Sequence, residues 1–151
     1  MTLWCIGLLA AQGKVEPVLQ DPAFMELSKL VGGDWEGSVG EGAAVHNHFE
    51  FAVDGKMVKG NGTVTAGGHV VLRTQPNMGW DPVAKKVSYV DFHNHDTVYA
   101  GHVSMQDGWM VYDFTELAQP RNHFTARSRL IDADHYEFLL GNEVIKMTRK
   151  R

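Results

Sequence analysis

Eight histidines in a chain of 151 residues are the side chains here best suited to chemistry, because imidazole binds metals and moves protons near neutral pH. Two pairs have a meaningful spacing. His46 and His48 fall two apart on one face of a strand, and so do His93 and His95 at the end of another, a separation that can bring two imidazoles to one metal ion. Their parity argues for a plainer role. His46, His48 and Glu50 alternate with the apolar Val45, Phe49 and Phe51, and successive side chains of a strand face opposite sides. Both pairs are therefore expected to face solvent, with metal capture as the alternative. His102 alternates with Val103 and Met105 and is expected outward as well.

Other catalytic patterns are thinner. The chain holds no nucleophile elbow, no phosphate-cradling glycine loop and no His-Glu-x-x-His. Asp91 and Asp113 fall on central strands, where a buried carboxylate can act as a base. Asp91 shares a face with His93, and Asp113 shares one with Trp109 and Val111. Alternation puts both outside, and a register shifted by one residue would bring them in. A non-enzymatic reading is favoured, and nothing in the chain asks for a cofactor.

Lys and Arg number 14 against 18 Asp and Glu, a formal charge of −4, so no bulk field draws the chain to nucleic acid. The C-terminal Lys146, Arg149, Lys150 and Arg151 read as a solvated chain end. Cys5 has no second thiol to pair with, which excludes an intramolecular disulfide and cysteine-rich zinc sites. Met1 to Ala11 is uncharged and apolar, yet far short of the about 20 residues of a spanning helix, so no integral membrane span is expected. Ala11-Gln12-Gly13 has the small-x-small form of a cleavage site. Residues 1–20 thus read as a signal-like or flexible segment, with a periplasmic or secreted location expected ahead of a cytoplasmic one. Residues 21–151 read as one domain.

These side chains must be positioned by a β structure. One helix is predicted over Pro22–Val31, with Asp21 as N-cap, Pro22 at the first position, and Gly32-Gly33 to stop it. Phe24, Leu27, Leu30 and Val31 give it one apolar face. Beyond Gly33 the hydrophobic period becomes two, and turn signals arrive at the spacing of a sandwich or barrel. Strands are predicted near Trp35–Val39, Val45–Val53, Met57–Thr65, His69–Thr74, Val87–His93, Thr97–Gln106, Trp109–Thr115, His123–Ile131, Tyr136–Leu140 and Glu143–Arg149. Short turns such as Asp54-Gly55, Asp107-Gly108 and Gly141-Asn142 join them. The fold class is therefore all-β: a single antiparallel up-and-down barrel of about ten strands with a short N-terminal helix, which hides its edges by closing on itself. A two-sheet sandwich is the alternative.

The stretch Leu30-Val31-Gly32-Gly33-Asp34-Trp35-Glu36-Gly37, followed mid-chain by Gly79-Trp80-Asp81-Pro82, resembles the calycin superfamily of lipocalins and fatty-acid-binding proteins. It is most similar to small lipocalin-like bacterial domains of unknown function that open on Leu-x-Gly-x-Trp-x-Gly, and it covers roughly residues 22 to 149. One extra glycine interrupts the motif here. The resemblance implies that Trp35 plugs the base of the barrel and that a basic residue of the last strand, matched by Arg149, packs over its ring. Such a cation–π contact is worth about 0.5–2 kcal/mol. The plainer role for Trp35 is a core aromatic.

The leading functional expectation is binding of a small apolar or amphipathic molecule inside the barrel. Its lining is expected to comprise Phe49, Phe51, Phe92, Met110, Tyr112, Phe114, Phe124, Tyr136 and Phe138, with Asn47, Ser128 or a tyrosine hydroxyl fixing orientation. The alternatives are a filled structural barrel without a ligand and a barrel enzyme using Asp and His in the cavity. Haem would need an inward His or Tyr as axial ligand. A deep cavity with a polar end favours transport, and converging Asp and His inside it favour catalysis.

Overall fold

The computed structural model describes residues 17–150; the signal-like Met1 to Gly13 and the terminal Arg151 lie outside the described residues. Two short helices precede the sheet, α1 (Pro17–Gln20) and α2 (Pro22–Ser28). Asp21 between them caps α2, its carboxylate accepting from the backbone N–H of Ala23 at 2.9 Å and of Phe24 at 3.2 Å. α2 stops three residues before the predicted Val31. There the chain tightens into i to i+3 bonds, from Lys29 N–H to Glu26 O and from Leu30 N–H to Leu27 O, the usual way a helix end satisfies its last carbonyls. Phe24, Leu27 and Leu30 are buried in the common core, as is Val18 of α1.

Ten strands follow: β1 (Asp34–Val39), β2 (Ala43–Ala52), β3 (Met57–Ala66), β4 (His69–Asp81), β5 (Lys86–His93), β6 (Val98–Gln106), β7 (Trp109–Glu116), β8 (His123–Asp132), β9 (His135–Leu140) and β10 (Glu143–Lys150). Each pairs antiparallel with its sequence neighbours, and β10 returns to β1, so the sheet is a closed up-and-down barrel. The architecture is consistent with the lipocalin-like, calycin type. The sandwich alternative is excluded by this closure.

β4 runs seven residues beyond the predicted Thr74 and contains Pro76. Proline cannot donate to a ladder, and β3–β4 pairing is interrupted between Lys59↔Asn77 and Gly62↔Thr74. Gly60 lies in that interval: a Cβ there would stand 2.7 Å from the Pro76 ring and 3.1 Å from Phe49. The glycine makes room for the proline, and the strand continues. At the β1 motif, a Cβ on Gly37 would stand 2.5 Å from both Lys146 O and the Met147 sulfur, so this glycine is what lets β10 approach and close the barrel.

α2 covers one end of the barrel. Gly32 N–H donates to Phe49 O at 3.2 Å, and the Trp35 indole N–H donates to Leu30 O at 2.9 Å. The opposite end is formed by the β1–β2, β3–β4, β5–β6, β7–β8 and β9–β10 turns.

Candidate ligand-binding cavity

Inside the barrel is a cavity of about 410 Å³, within the roughly 300–1,000 Å³ of small-molecule sites. Its floor is Leu30, Met78 and Met147. Trp35 lies in the closed end, edge-on to Tyr136 with ring centroids 4.8 Å apart. Above the floor two polar pairs satisfy each other: the Asn47 amide donates to the Tyr136 hydroxyl at 2.8 Å, and the Tyr112 and Ser128 hydroxyls lie 3.0 Å apart. Burial pushes the Tyr112 phenol up to about 12, opposed by the Ser128 bond, and burial also pushes Tyr136 up. These hydroxyls therefore stay neutral across physiological pH.

The wall above them is aromatic. Tyr89, Tyr99, Phe114 and Phe124 lie within 5.3 to 5.7 Å of one another in a continuous chain of ring contacts, and Phe138 joins through Tyr112 at 6.1 Å. Val39, Val64, Leu72, Leu140 and Ile145 form the end away from α2.

Asn61, Thr63, Thr74 and His93 add polar groups to the lining, and one carboxylate interrupts the wall. Asp91 on β5 is 6% exposed. Its Oδ2 accepts from the Tyr89 hydroxyl at 2.9 Å and lies 3.0 Å from His93 Nε2. Its buried Oδ1 has no hydrogen-bond partner among the described residues. Burial first, and then the Asp91 charge, push the Tyr89 phenol well up. His93 in turn packs edge-on to Tyr99 at 4.9 Å. Among the described residues that line the cavity there is one carboxylate and one imidazole, and no Lys or Arg.

Of the residues expected to line the barrel, Asn47, Phe49, Tyr112, Phe114, Phe124, Ser128, Tyr136 and Phe138 come together around this cavity. Three do not. Phe92 is 49% exposed, because β5 has the opposite parity to the one expected: Val87, Tyr89, Asp91 and His93 form the inward face. Phe51 has inward parity but is also 49% exposed, since it pairs with Val58 close to the β2–β3 turn, past the end that α2 covers. Met110 is buried in the core but does not line the cavity.

The same parity error reverses the expectation for His93 and Asp91, which point inward. His95 stays in the β5–β6 turn, its Nε2 2.9 Å from Val71 O. His46 and His48 are outward and share Asp34, at 3.5 and 2.9 Å. His102 is outward beside Asp81 at 3.2 Å, and Asp113 is outward beside His123 at 2.5 Å. Among the described residues no group of three or more His, Cys, Asp or Glu side chains has an arrangement that could hold a metal ion.

Tyr89 and Tyr99 are lining residues that sequence reasoning missed. Tyr99 was accessible to it, since it shares parity with Val103 and Met105. Neither a scan of protein-family models nor a search of curated proteins finds a match for the chain.

Proposed function

We propose that this barrel binds a small apolar or amphipathic molecule in its interior, in the manner of lipocalin-like binding proteins. The observation that carries the reading is the cavity itself: about 410 Å³ of space with an aromatic wall, paired polar groups at its waist, and one unsatisfied carboxylate oxygen. A filled structural barrel would have side chains where this space lies. The cation–π pair of Arg149 and Trp35 at the closed end supports the calycin resemblance.

A ligand that binds only the native state stabilises it by about 2.7 kcal/mol at a hundred times its dissociation constant. At least one member of a panel of fatty acids, long-chain alcohols and amines, retinoids and haem is expected to raise the melting temperature of the protein. If none does, and a crystal pressurised with xenon shows no internal site, the reading fails.

One observation favours a second reading, that the bound molecule is also transformed. Asp91 orients the His93 imidazole through Nε2 at 3.0 Å, and among the described residues Nδ1 has no partner, the arrangement of a positioned proton acceptor. Proton transfer to carbon would show as deuterium incorporated from D₂O into a bound ligand, abolished by His93→Gln. A ligand recovered unchanged and unlabelled would leave binding as the activity.

A further inference from the structure

We infer that the ligand carries a cationic, hydrogen-bond-donating head, a protonated amine on an apolar body, and that Asp91 receives it. This rests on the reading of the barrel as a binding cavity and names the class of molecule that the cavity selects.

A buried carboxylate oxygen without a donor is costly, and Asp91 Oδ1 is such an atom. The other oxygen is already held by Tyr89 and His93, which fixes the carboxylate in place. Asp91 lines the cavity with Oδ1 covered, so a donor brought by the ligand would complete the set once the neighbouring side chains give way to it. The surroundings suit a cation in a second way. Asp91 pairs across the sheet with Tyr99, and Tyr89 and Phe114 approach at 5.3 Å on the same wall. Ring faces attract ammonium groups, more strongly where water is excluded.

The same lining disfavours the opposite head group. Among the described lining residues the only basic group is His93, already bonded to Asp91, and no Lys or Arg is present to receive a carboxylate. A fatty acid would bring its negative charge into a space whose one acid is Asp91, where like charges repel with little screening. The apolar body would lie against Phe124, Phe138 and Leu140.

The test compares n-decylamine, n-decanol and decanoate by titration calorimetry on the full chain at neutral pH, below their micelle concentrations. These probes share one tail and differ in head charge. The amine is expected to bind at least about tenfold tighter than the alcohol and the acid, as a hydrogen bond to a charged group provides. Asp91→Asn is expected to weaken the amine more than the alcohol, so that the preference for the amine is lost. Equal binding by amine and alcohol, tighter binding by the acid, or an amine affinity untouched by Asp91→Asn each overturns the inference. If the variant fails to fold, the ranking in the unaltered protein decides alone. Binding of the alcohol or acid without preference for the amine defeats this inference and leaves the binding reading intact. If none of the three binds, the inference falls, and the wider panel and xenon decide whether the binding reading falls with it.

Discussion

The Arg149 guanidinium lies over the Trp35 indole with its Cζ 4.4 Å from the ring centroid. The two residues are cross-strand neighbours at the seam where β10 meets β1. Arg149 also donates to Lys29 O at 2.7 Å, and the indole donates to Leu30 O. The pair therefore ties the carbonyls that end α2 to the strands that close the barrel.

Removing Trp35 takes away a fully buried aromatic and an anchor of the helix, so Trp35→Ala is expected to cost about 3–5 kcal/mol in urea unfolding. A double-mutant cycle with Trp35→Phe and Arg149→Met isolates the stacked contact, with an expected coupling of about 0.5–2 kcal/mol. A coupling near zero would reduce Trp35 to a core aromatic.

The number of strands was legible because nearly every turn carries its own chemistry. Asp81, for example, ends β4 by accepting from the backbone N–H of Val83 and Ala84, bonds that hold its carboxyl below the usual range, Ala84 first and then His102 and Val83. The inward face was legible on β7, β8 and β9, where one side of the strand is clearly more apolar. β5 lacked that contrast: Val87 and Tyr89 on one face are matched by Val90 and Phe92 on the other. The apolar rule then chose the wrong side and set Asp91 and His93 outside. No rule of alternation places a charged residue in an apolar interior, and this is where the candidate site lay hidden. Pro76 hid the second half of β4, since the glycine that accommodates it is sixteen residues earlier in the chain.

The Tyr112 and Ser128 hydroxyls form a buried pair on adjacent strands. Deleting one leaves the other without its partner, so Tyr112→Phe and Ser128→Ala are each expected to destabilise by about 1–3 kcal/mol. The double variant is expected to cost less than the sum, because no hydroxyl is stranded. Strict additivity in denaturant melts would show that the two groups are independently solvated.

Tyr89, Tyr112 and Tyr136 all have folded-state values above the ordinary 10.0, with desolvation as the largest cause. A tyrosine raised on folding contributes stability in full below its unfolded value and loses it as pH rises through the folded one. For Tyr112 that window runs from 10.0 to about 12, a loss on the order of 3 kcal/mol. The melting temperature is expected to fall steeply above pH 10, as tyrosinate absorbance appears together with unfolding. Tyr112→Phe is expected to flatten the fall. A slope unchanged in that variant would show that Tyr112 does not contribute to the alkaline transition.

Phe114 and Phe124 stack at 5.7 Å on neighbouring strands and both face the cavity, so their size sets the free space inside it. Enlarging either to Trp adds volume toward that space. Phe114→Trp and Phe124→Trp are each expected to abolish the ligand-induced rise in melting temperature, while altering the unliganded protein by about 1–3 kcal/mol as an overpacked core does. Arg127→Trp adds the same ring on the outward face of β8, where Arg127 is exposed, and is expected to leave the rise intact. All three variants are read against the same ligand, at a concentration that saturates the unaltered protein. Retention of the shift in both inward variants would place the bound molecule on the outer surface of the barrel, and loss of it in Arg127→Trp would point there directly.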